Sequence, residues 1–286
     1  MHQTGENIKD FIRYWTFPLL RPRHFHAFGV GMPKSGTHSL EAIFGGYRTW
    51  HEPRMVRFMK IARRRSEGDL TDTQARDILR GLDRRMWLEL NSSWINYFLL
   101  EMLIDEYPEA KFVFTIRDCY SWLDSIFNQL LGREHGDYET QFHRWYGDSL
   151  TREAHKDGER VLEEHGLWPL DGWFRFWNEH NTGVLNLVPS DRLLIVRTPE
   201  IRHDIPRMAD FLGVPVDTLD ASRSHEHKAA KKFGLLSRID GECLSEGVDK
   251  NCKDLMERFF PEIQQLSDVR GYRPQDTPAN PDHSDT

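Results

Sequence analysis

The chain has 286 residues, with 38% hydrophobic and 29% charged side chains and a formal net charge of -7. This is enough apolar material for one large α/β domain or two small ones, and the charged fraction marks a water-exposed surface. The acidic balance argues against general affinity for nucleic acid or an anionic membrane, so any anion site must be a local one.

The N-terminal stretch Asp10–Leu20 is apolar and aromatic, but it contains Arg13 and Pro18 and is far shorter than the ~20 residues of a membrane span. It is expected to pack on the domain, and no transmembrane segment is expected. No charged-then-apolar leader precedes residue 26, and Cys119, Cys243 and Cys252 have no metal-type spacing. An odd cysteine count without a leader fits free thiols in a reducing, cytoplasmic setting. A Cys243–Cys252 bridge is the alternative.

His26 to Gly31 reads as a buried strand, and Gly36 to Phe44 as a helix stopped by Gly45-Gly46. Tyr47–Trp50 is a short second strand, with His51-Glu52-Pro53 just past it. Ligands of open parallel sheets sit outside the carboxyl ends of strands, so His51 and Glu52 share a rim with the turn after the first strand. Val56 to Arg65 is a basic helix with one apolar side. Thr71-Asp72-Thr73-Gln74 is a capping box that opens a helix through Leu82. Met86 to Leu90 is a short apolar run; Glu89, Asn91 and Ser92, at the end of another strand, are candidates to line the ligand side, with capping the alternative for Ser92 and Ser93, and Ser93 a cap for the helix containing Trp94.

Lys111–Ile116 is an unbroken run of β-formers, as a strand buried on both faces requires, and it leads into Arg117-Asp118 and a helix over Tyr120–Leu131. A helical insert is expected near 132–172. Trp173–Leu187 reads as a helix, Arg192–Arg197 as a strand, Ile205–Leu212 as a helix stopped by Gly213, and Cys252–Phe260 as a last helix. Strands alternating with helices predict an α/β, three-layer sandwich: a central parallel sheet with helices on both faces. One domain is expected over 1–270, with a Pro, Asp and Ser tail at 271–286 expected to be disordered.

Gly31-Met32-Pro33-Lys34-Ser35-Gly36-Thr37-His38-Ser39 joins the first strand to its helix. Backbone N–H groups and a helix start converge there, the outline of a phosphate cradle. It is not a Walker A loop, because Lys34 precedes its small residues instead of coming after them. At the tip of the turn, a lysine can reach the bridging oxygen of a transferable group while backbone donors hold the phosphate. Where a metal-dependent NTPase would place a carboxylate after a strand, this chain has Arg117, which points to transfer without a metal. No spacing supports a metal site. Arg117 and Ser125, eight residues apart, suit a second phosphate on the same ligand.

Pro33-Lys34-Ser35-Gly36-Thr37 together with Arg117 to Ser125 resembles the two signature motifs of the sulfotransferases that use 3′-phosphoadenosine 5′-phosphosulfate (PAPS). Arg192–Gly213 is similar to that family's late strand and helix, so the resemblance covers roughly residues 26 to 215. It implies a P-loop-like fold and sulfuryl transfer from PAPS to an acceptor hydroxyl on a small molecule, lipid or carbohydrate, leaving adenosine 3′,5′-bisphosphate. By the same resemblance Lys34, Ser35, Gly36, Thr37, His38 and Ser39 hold the 5′-phosphosulfate, and Arg117 and Ser125 the 3′-phosphate. His38 stands where relatives often carry a hydroxyl. The His225–Lys232 segment falls where the family closes a loop over the nucleotide, but it lacks the Arg-Lys-Gly pattern, so Lys228, Lys231 and Lys232 also read as a solvated face.

A hydroxyl that attacks sulfur must lose its proton. Glu52-Pro53 is similar to the segment that supplies a glutamate base in carbohydrate-modifying relatives, which favours Glu52 over His51. Neighbours on an extended segment point to opposite sides, so only one of the two is expected to face the sulfate. Trp145, Tyr146, Trp168, Trp173 and Phe174 either line a pocket for a ring-bearing acceptor or fill the core. Two rival readings remain at this point: a nucleotide-dependent kinase, and a non-catalytic nucleotide-binding protein.

Overall fold

The computed structural model describes residues 20–132, 153–224 and 232–269. Five strands, β1 (Ala27–Gly29), β2 (Thr49–His51), β3 (Leu90–Ser92), β4 (Lys111–Ile116) and β5 (Leu193–Arg197), form one sheet in the order β2-β3-β1-β4-β5. Every pairing is parallel, with Phe28 opposite both Asn91 and Phe112 and Ile116 opposite Arg197. The short strands satisfy their backbone groups beyond their ends: Val30 N–H reaches the Val113 carbonyl at 3.0 Å, and Glu52 N–H that of Ser92 at 2.9 Å.

The chain divides into two compact units, one of residues 1–117 and 177–228 and one of 118–176 and 229–286. The first holds the sheet. Successive strand residues point to opposite faces, and both faces are covered. Ala27, Leu90, Val113 and Val196 pack with Leu40 and Ile43 of helix α1 (Thr37–Ile43) and, from further along the chain, with Ile205, Met208 and Leu212 of the last helix of this unit (Ile205–Leu212). Gly213, at φ 75, ends that helix as its position predicts. The other face presents Phe28 and Asn91 to Phe58 of helix α2 (Met55–Ser66), Leu79 of α3 (Asp72–Met86) and Leu103 of α4 (Leu100–Glu106). The Thr71/Gln74 capping box forms as expected, and Ser93 Oγ accepts from Ile95 N–H, although the segment it starts is a 3-10 turn over Trp94–Leu99 before α4 begins.

The second unit contains α5 (Cys119–Gly132), the short helix α6 (Arg160–Glu164), the first turns of α7 (Leu170–Leu187), and two later helices over Gly241–Asn251 and Lys253–Phe259. The aromatic residues that could have lined a pocket are core here. Trp168, Trp173 and Phe174 are buried, with the Trp173 ring 5.0 Å from Trp168 and 5.6 Å from Phe127. Asp118, which could have paired with Arg117, instead accepts from Ser121 N–H at 2.8 Å and from the Ser121 hydroxyl, closing the first turn of α5. Cys119, Cys243 and Cys252 are free and buried. The expected insert falls outside the described residues over 133–152, as do Trp145, Tyr146, Lys228, Lys231 and the tail. No helix among the described residues is long and apolar enough to cross a membrane.

Candidate active site

In the order β2-β3-β1-β4-β5 the chain leaves β1 toward β2 on one side and leaves β4 toward β5 on the other. The crevice beyond the carboxyl ends of β1 and β4 is therefore a topological switch point, where open α/β sheets bind ligands. The turn after β1 carries Lys34, the turn after β4 carries Arg117, and the two touch: Arg117 Nη1 donates to the Lys34 carbonyl at 3.2 Å. Arg117 and Lys34 are both partly exposed.

The path of the first turn is set by its small residues. Lys34 is left-handed at φ 67 and Gly36 at φ 106. Alternation of this kind turns successive N–H groups toward one concavity, a nest for an anion. A Cβ on Gly36 would stand 2.5 Å from Ile201 Cδ1, and one on Gly31 would stand 2.0 Å from Thr115 Oγ1 and 2.5 Å from Ser35 Oγ. Gly36 is also the residue that caps α1, so no side chain covers the N–H groups of the helix start.

Ser35 turns away from the concavity. Its hydroxyl donates to the Met32 carbonyl at 2.8 Å and lies 2.9 Å from Thr115 Oγ1, and its N–H also goes to Met32. It thus builds the turn with atoms expected to bind a ligand. The turn is braced from three further elements. Ser92 Oγ donates to the Thr37 carbonyl at 2.8 Å, and Thr198 Oγ1 is shared between the carbonyls of Ser35 at 2.5 Å and Ile116 at 3.0 Å. From α7, His180 Nε2 donates to the Val30 carbonyl at 3.0 Å, and Trp177 Nε1 to that of Arg117 at 3.0 Å. His180 is fully buried and stacks on Tyr97 at 4.2 Å; desolvation pulls its pKa down to about 4, against the opposing pull of its bond to Val30. It is a neutral donor in the fold.

Thr37 is the first residue of α1 and does not cap it. Its Oγ1 is 3.0 Å from His51 Nε2, and the His51 ring stacks on His38 with centroids 3.5 Å apart. His51 is the last residue of β2, as predicted for the rim, but the expected opposition of His51 and Glu52 does not occur. Glu52 leaves the extended region for φ 51, which swings its carboxylate back to 3.9 Å from His51 Nε2. Both side chains serve one side. Ser39 is buried in α1, and Ser125 lies partly exposed on α5.

Glu89 does not lie at the ligand side. It precedes β3 at the amino end of the sheet, away from the rim, and its carboxylate accepts from the N–H groups of His24 at 2.9 Å and Arg48 at 2.8 Å. Burial pushes its pKa up, but these bonds and the Arg48 charge prevail and hold it below the usual carboxylate range. Asn91 faces the α2–α4 side, with Phe28. Sequence reasoning missed Thr198, yet it lies just past the carboxyl end of β5, so the rim rule that selects His51 and Arg117 selects it too. Thr115 and His180 give no local signal, because one is a β-former inside a strand and the other a single histidine on a helix. Among the described residues no group of three His, Cys, Asp or Glu could hold a metal ion.

A family model described as a sulfotransferase domain matches residues 26–230. Among solved structures, a sulfotransferase from Alicyclobacillus acidocaldarius is 18% identical, with 82% of this chain and 95% of that one covered, at a TM-score of 0.45. The sulfotransferase domain of the Synechococcus PCC 7002 olefin synthase is 16% identical, with 93% of each chain covered and a TM-score of 0.41. The sulfotransferase STF9 from Mycobacterium avium is 11% identical over 90% of this chain and 82% of that one, at 0.49. No curated protein matches the chain.

Proposed function

Because the chain belongs to the sulfotransferase family, we propose that the Lys34 turn and Arg117 bind PAPS and that Glu52 takes the proton of an acceptor hydroxyl. The observation that carries this reading is the bond from Arg117 to the Lys34 carbonyl at the switch point, which brings the guanidinium to the left-handed nest that carries Lys34. The missing Cβ atoms of Gly31 and Gly36 leave the backbone close enough to approach a phosphosulfate. When bound, PAPS supplies the sulfuryl group that passes to the acceptor, and adenosine 3′,5′-bisphosphate departs.

Lys34 and the N–H groups of Thr37, His38 and Ser39 hold the negative charge that builds on the leaving phosphate, where fixed dipoles act most effectively. Ser35, Thr115 and Thr198 keep the turn in shape. Arg117 anchors the nucleotide, and Ser125 keeps the 3′-phosphate role implied by the family resemblance. Glu52 is the better base because His51 Nε2 is already engaged by Thr37, and the Glu52 carboxylate is the more open of the two, at 22% exposure against 13%. The acceptor is a hydroxyl compound of small-molecule, lipid or carbohydrate type, and the free cysteines fit a cytoplasmic enzyme.

Calorimetric titration with adenosine 3′,5′-bisphosphate, alongside transfer from labelled PAPS to a panel of hydroxyl compounds, tests the reading. Binding of the bisphosphate without magnesium, and its loss in Arg117→Ala, is the expected result. Preference for magnesium ATP would overturn it in favour of a kinase.

A further inference from the structure

Thr37 and His38 follow each other at the start of α1, and both hold one ring, that of His51. The helix lies along β2: Thr49 Oγ1 donates to the Glu41 carbonyl at 3.3 Å, and Thr37 Oγ1 is 3.0 Å from His51 Nε2. These ties join residues four apart on the helix to residues two apart on the strand, which is one face of each. His38 stands about 100° further round the helix, at ~3.6 residues per turn, and meets His51 in another way. Its ring lies on the face of the His51 ring, with centroids 3.5 Å apart and planes inclined at 23°. Paired aromatic rings usually stand ~4.5–7 Å apart, so these two faces are in direct contact.

The two contacts restrain different motions. A hydrogen bond at Nε2 fixes one edge of the ring but leaves its plane free to turn about the bond; the stack fixes the plane. Together they hold the edge of His51 that stands 3.9 Å from Glu52 Oε1. The backbone of Glu52 is set by its N–H bond to Ser92 at 2.9 Å, whereas its side chain still has rotamers to choose among. A ring held in place is a wall against which the carboxylate settles. Nothing in the helix start asks for a ring at residue 38, because Gly36 is the cap and histidine is one of the weaker helix formers. The hydroxyl often found here in relatives ends one bond past Cβ and cannot cover an imidazole face.

We infer that His38 is a positioning residue: its side chain clamps the plane of His51 and through it sets the carboxylate of Glu52, while its backbone N–H serves the anion turn. The consequence for turnover rests on the function proposed above, in which Glu52 is the base; the clamp itself does not.

His38→Phe and His38→Ser, made in the full chain, separate a clamp from a ligand. Phenylalanine keeps a flat ring without a nitrogen to offer an anion, serine supplies a hydroxyl without the ring, and both keep the backbone N–H. His38→Ser should lower kcat for transfer from PAPS by about ten- to a hundredfold, the scale of a reacting group displaced by ~1 Å. Acceptor KM and affinity for adenosine 3′,5′-bisphosphate should stay near those of the unaltered chain. His38→Phe should recover most of the lost turnover. The clamp is also read without turnover, from NMR spectra of histidine-labelled protein in which His51→Asn assigns the His51 ring protons. Those protons should stand upfield in the unaltered chain and in His38→Phe, and move downfield in His38→Ser. Loss of bisphosphate affinity in both variants would make the ring a ligand and overturn the inference. Equal turnover in His38→Ser and the unaltered chain, turnover in His38→Phe as low as in His38→Ser, or His51 resonances that serine leaves in place would overturn it too. If the unaltered chain ignores PAPS and the bisphosphate while the His51 resonances shift as stated, the clamp stands and the nucleotide reading fails.

Discussion

Glu52 Oε1 lies 3.9 Å from Nε2 of His51, its neighbour in sequence, because Glu52 adopts φ 51. On a continued strand the two side chains would have diverged. A left-handed glutamate is strained by about 1 kcal/mol or more, so the bend is held by its surroundings. Those include the Glu52 N–H bond to Ser92, which extends the ladder one residue past β2. Ser92 in turn supports the Thr37 carbonyl, so a single residue of β3 positions both Glu52 and the Lys34 turn.

Glu52→Gln should therefore lower kcat by about 10²–10⁴-fold, the usual share of a general base, with little change in acceptor KM because the amide keeps the shape. His51→Asn should cost less, since it removes a neighbour of the base and a partner of Thr37. Steady-state transfer from PAPS checks both. A larger loss at His51 than at Glu52 would reverse the assignment.

Lys34 combines the amine proposed to bind PAPS with a backbone conformation that favours glycine, at φ 67. Lys34→Gly and Lys34→Ala should both abolish transfer, yet they should part in stability. The glycine variant should unfold at the same temperature or higher, while alanine keeps the strain of a Cβ at positive φ. Thermal unfolding beside a transfer assay separates the two effects. Near-normal turnover in either variant would sink the role given to Lys34.

Gly31→Ala should damage the site from within. The added Cβ would fall 2.0 Å from Thr115 Oγ1 and 2.7 Å from the Thr115 carbonyl, and the carbonyl belongs to β4 and cannot rotate away. A loss of about 1–3 kcal/mol is expected from overpacking, with bisphosphate affinity falling as well because β1 and β4 must separate beneath the turn. Denaturant unfolding and calorimetry read the two. Gly31→Ala/Thr115→Ala should recover part of the stability, since it removes the closest clash and leaves those with Ser35 Oγ and the Thr115 carbonyl.

The layout of the sheet and its rim was legible because strands, glycine stops and caps are local signals. Lys111–Ile116, the Thr71/Gln74 box and the Gly213 stop are found where the chain's own pattern puts them. The placement of Lys34, His51 and Arg117 at one rim is a consequence of strand ends alone. A local pattern does not carry the backbone sign of a single residue, and that is why Glu52 is expected from sequence to face away from His51. Glu89 misleads for a related reason: the limits of a short strand are not fixed by its own residues, and β3 starts only at Leu90, which leaves Glu89 at its amino end. Ser35 is expected to hold the 5′-phosphosulfate by family resemblance, and the part of its role that the sequence does not show is the bond to Thr115, eighty residues away.

His180 makes the stability of the fold depend on pH. In the native chain burial brings its pKa down to about 4, from an ordinary value of 6.5. Between these values the unfolded chain binds a proton that the native chain does not, so stability is full above pH 6.5 and declines as pH falls toward 4. At about 1.4 kcal/mol per unit, the loss across that window is about 3 kcal/mol. Protonation leaves the donor role at Val30 intact, since Nε2 already carries its hydrogen; the cost lies in burying the charge. His180→Gln keeps a donor for the Val30 carbonyl and removes the titration, so its unfolding free energy should vary less between pH 7 and pH 4 than that of the unaltered chain. Urea titrations at several pH values measure the difference. Parallel curves for the two proteins would show that His180 does not carry the dependence.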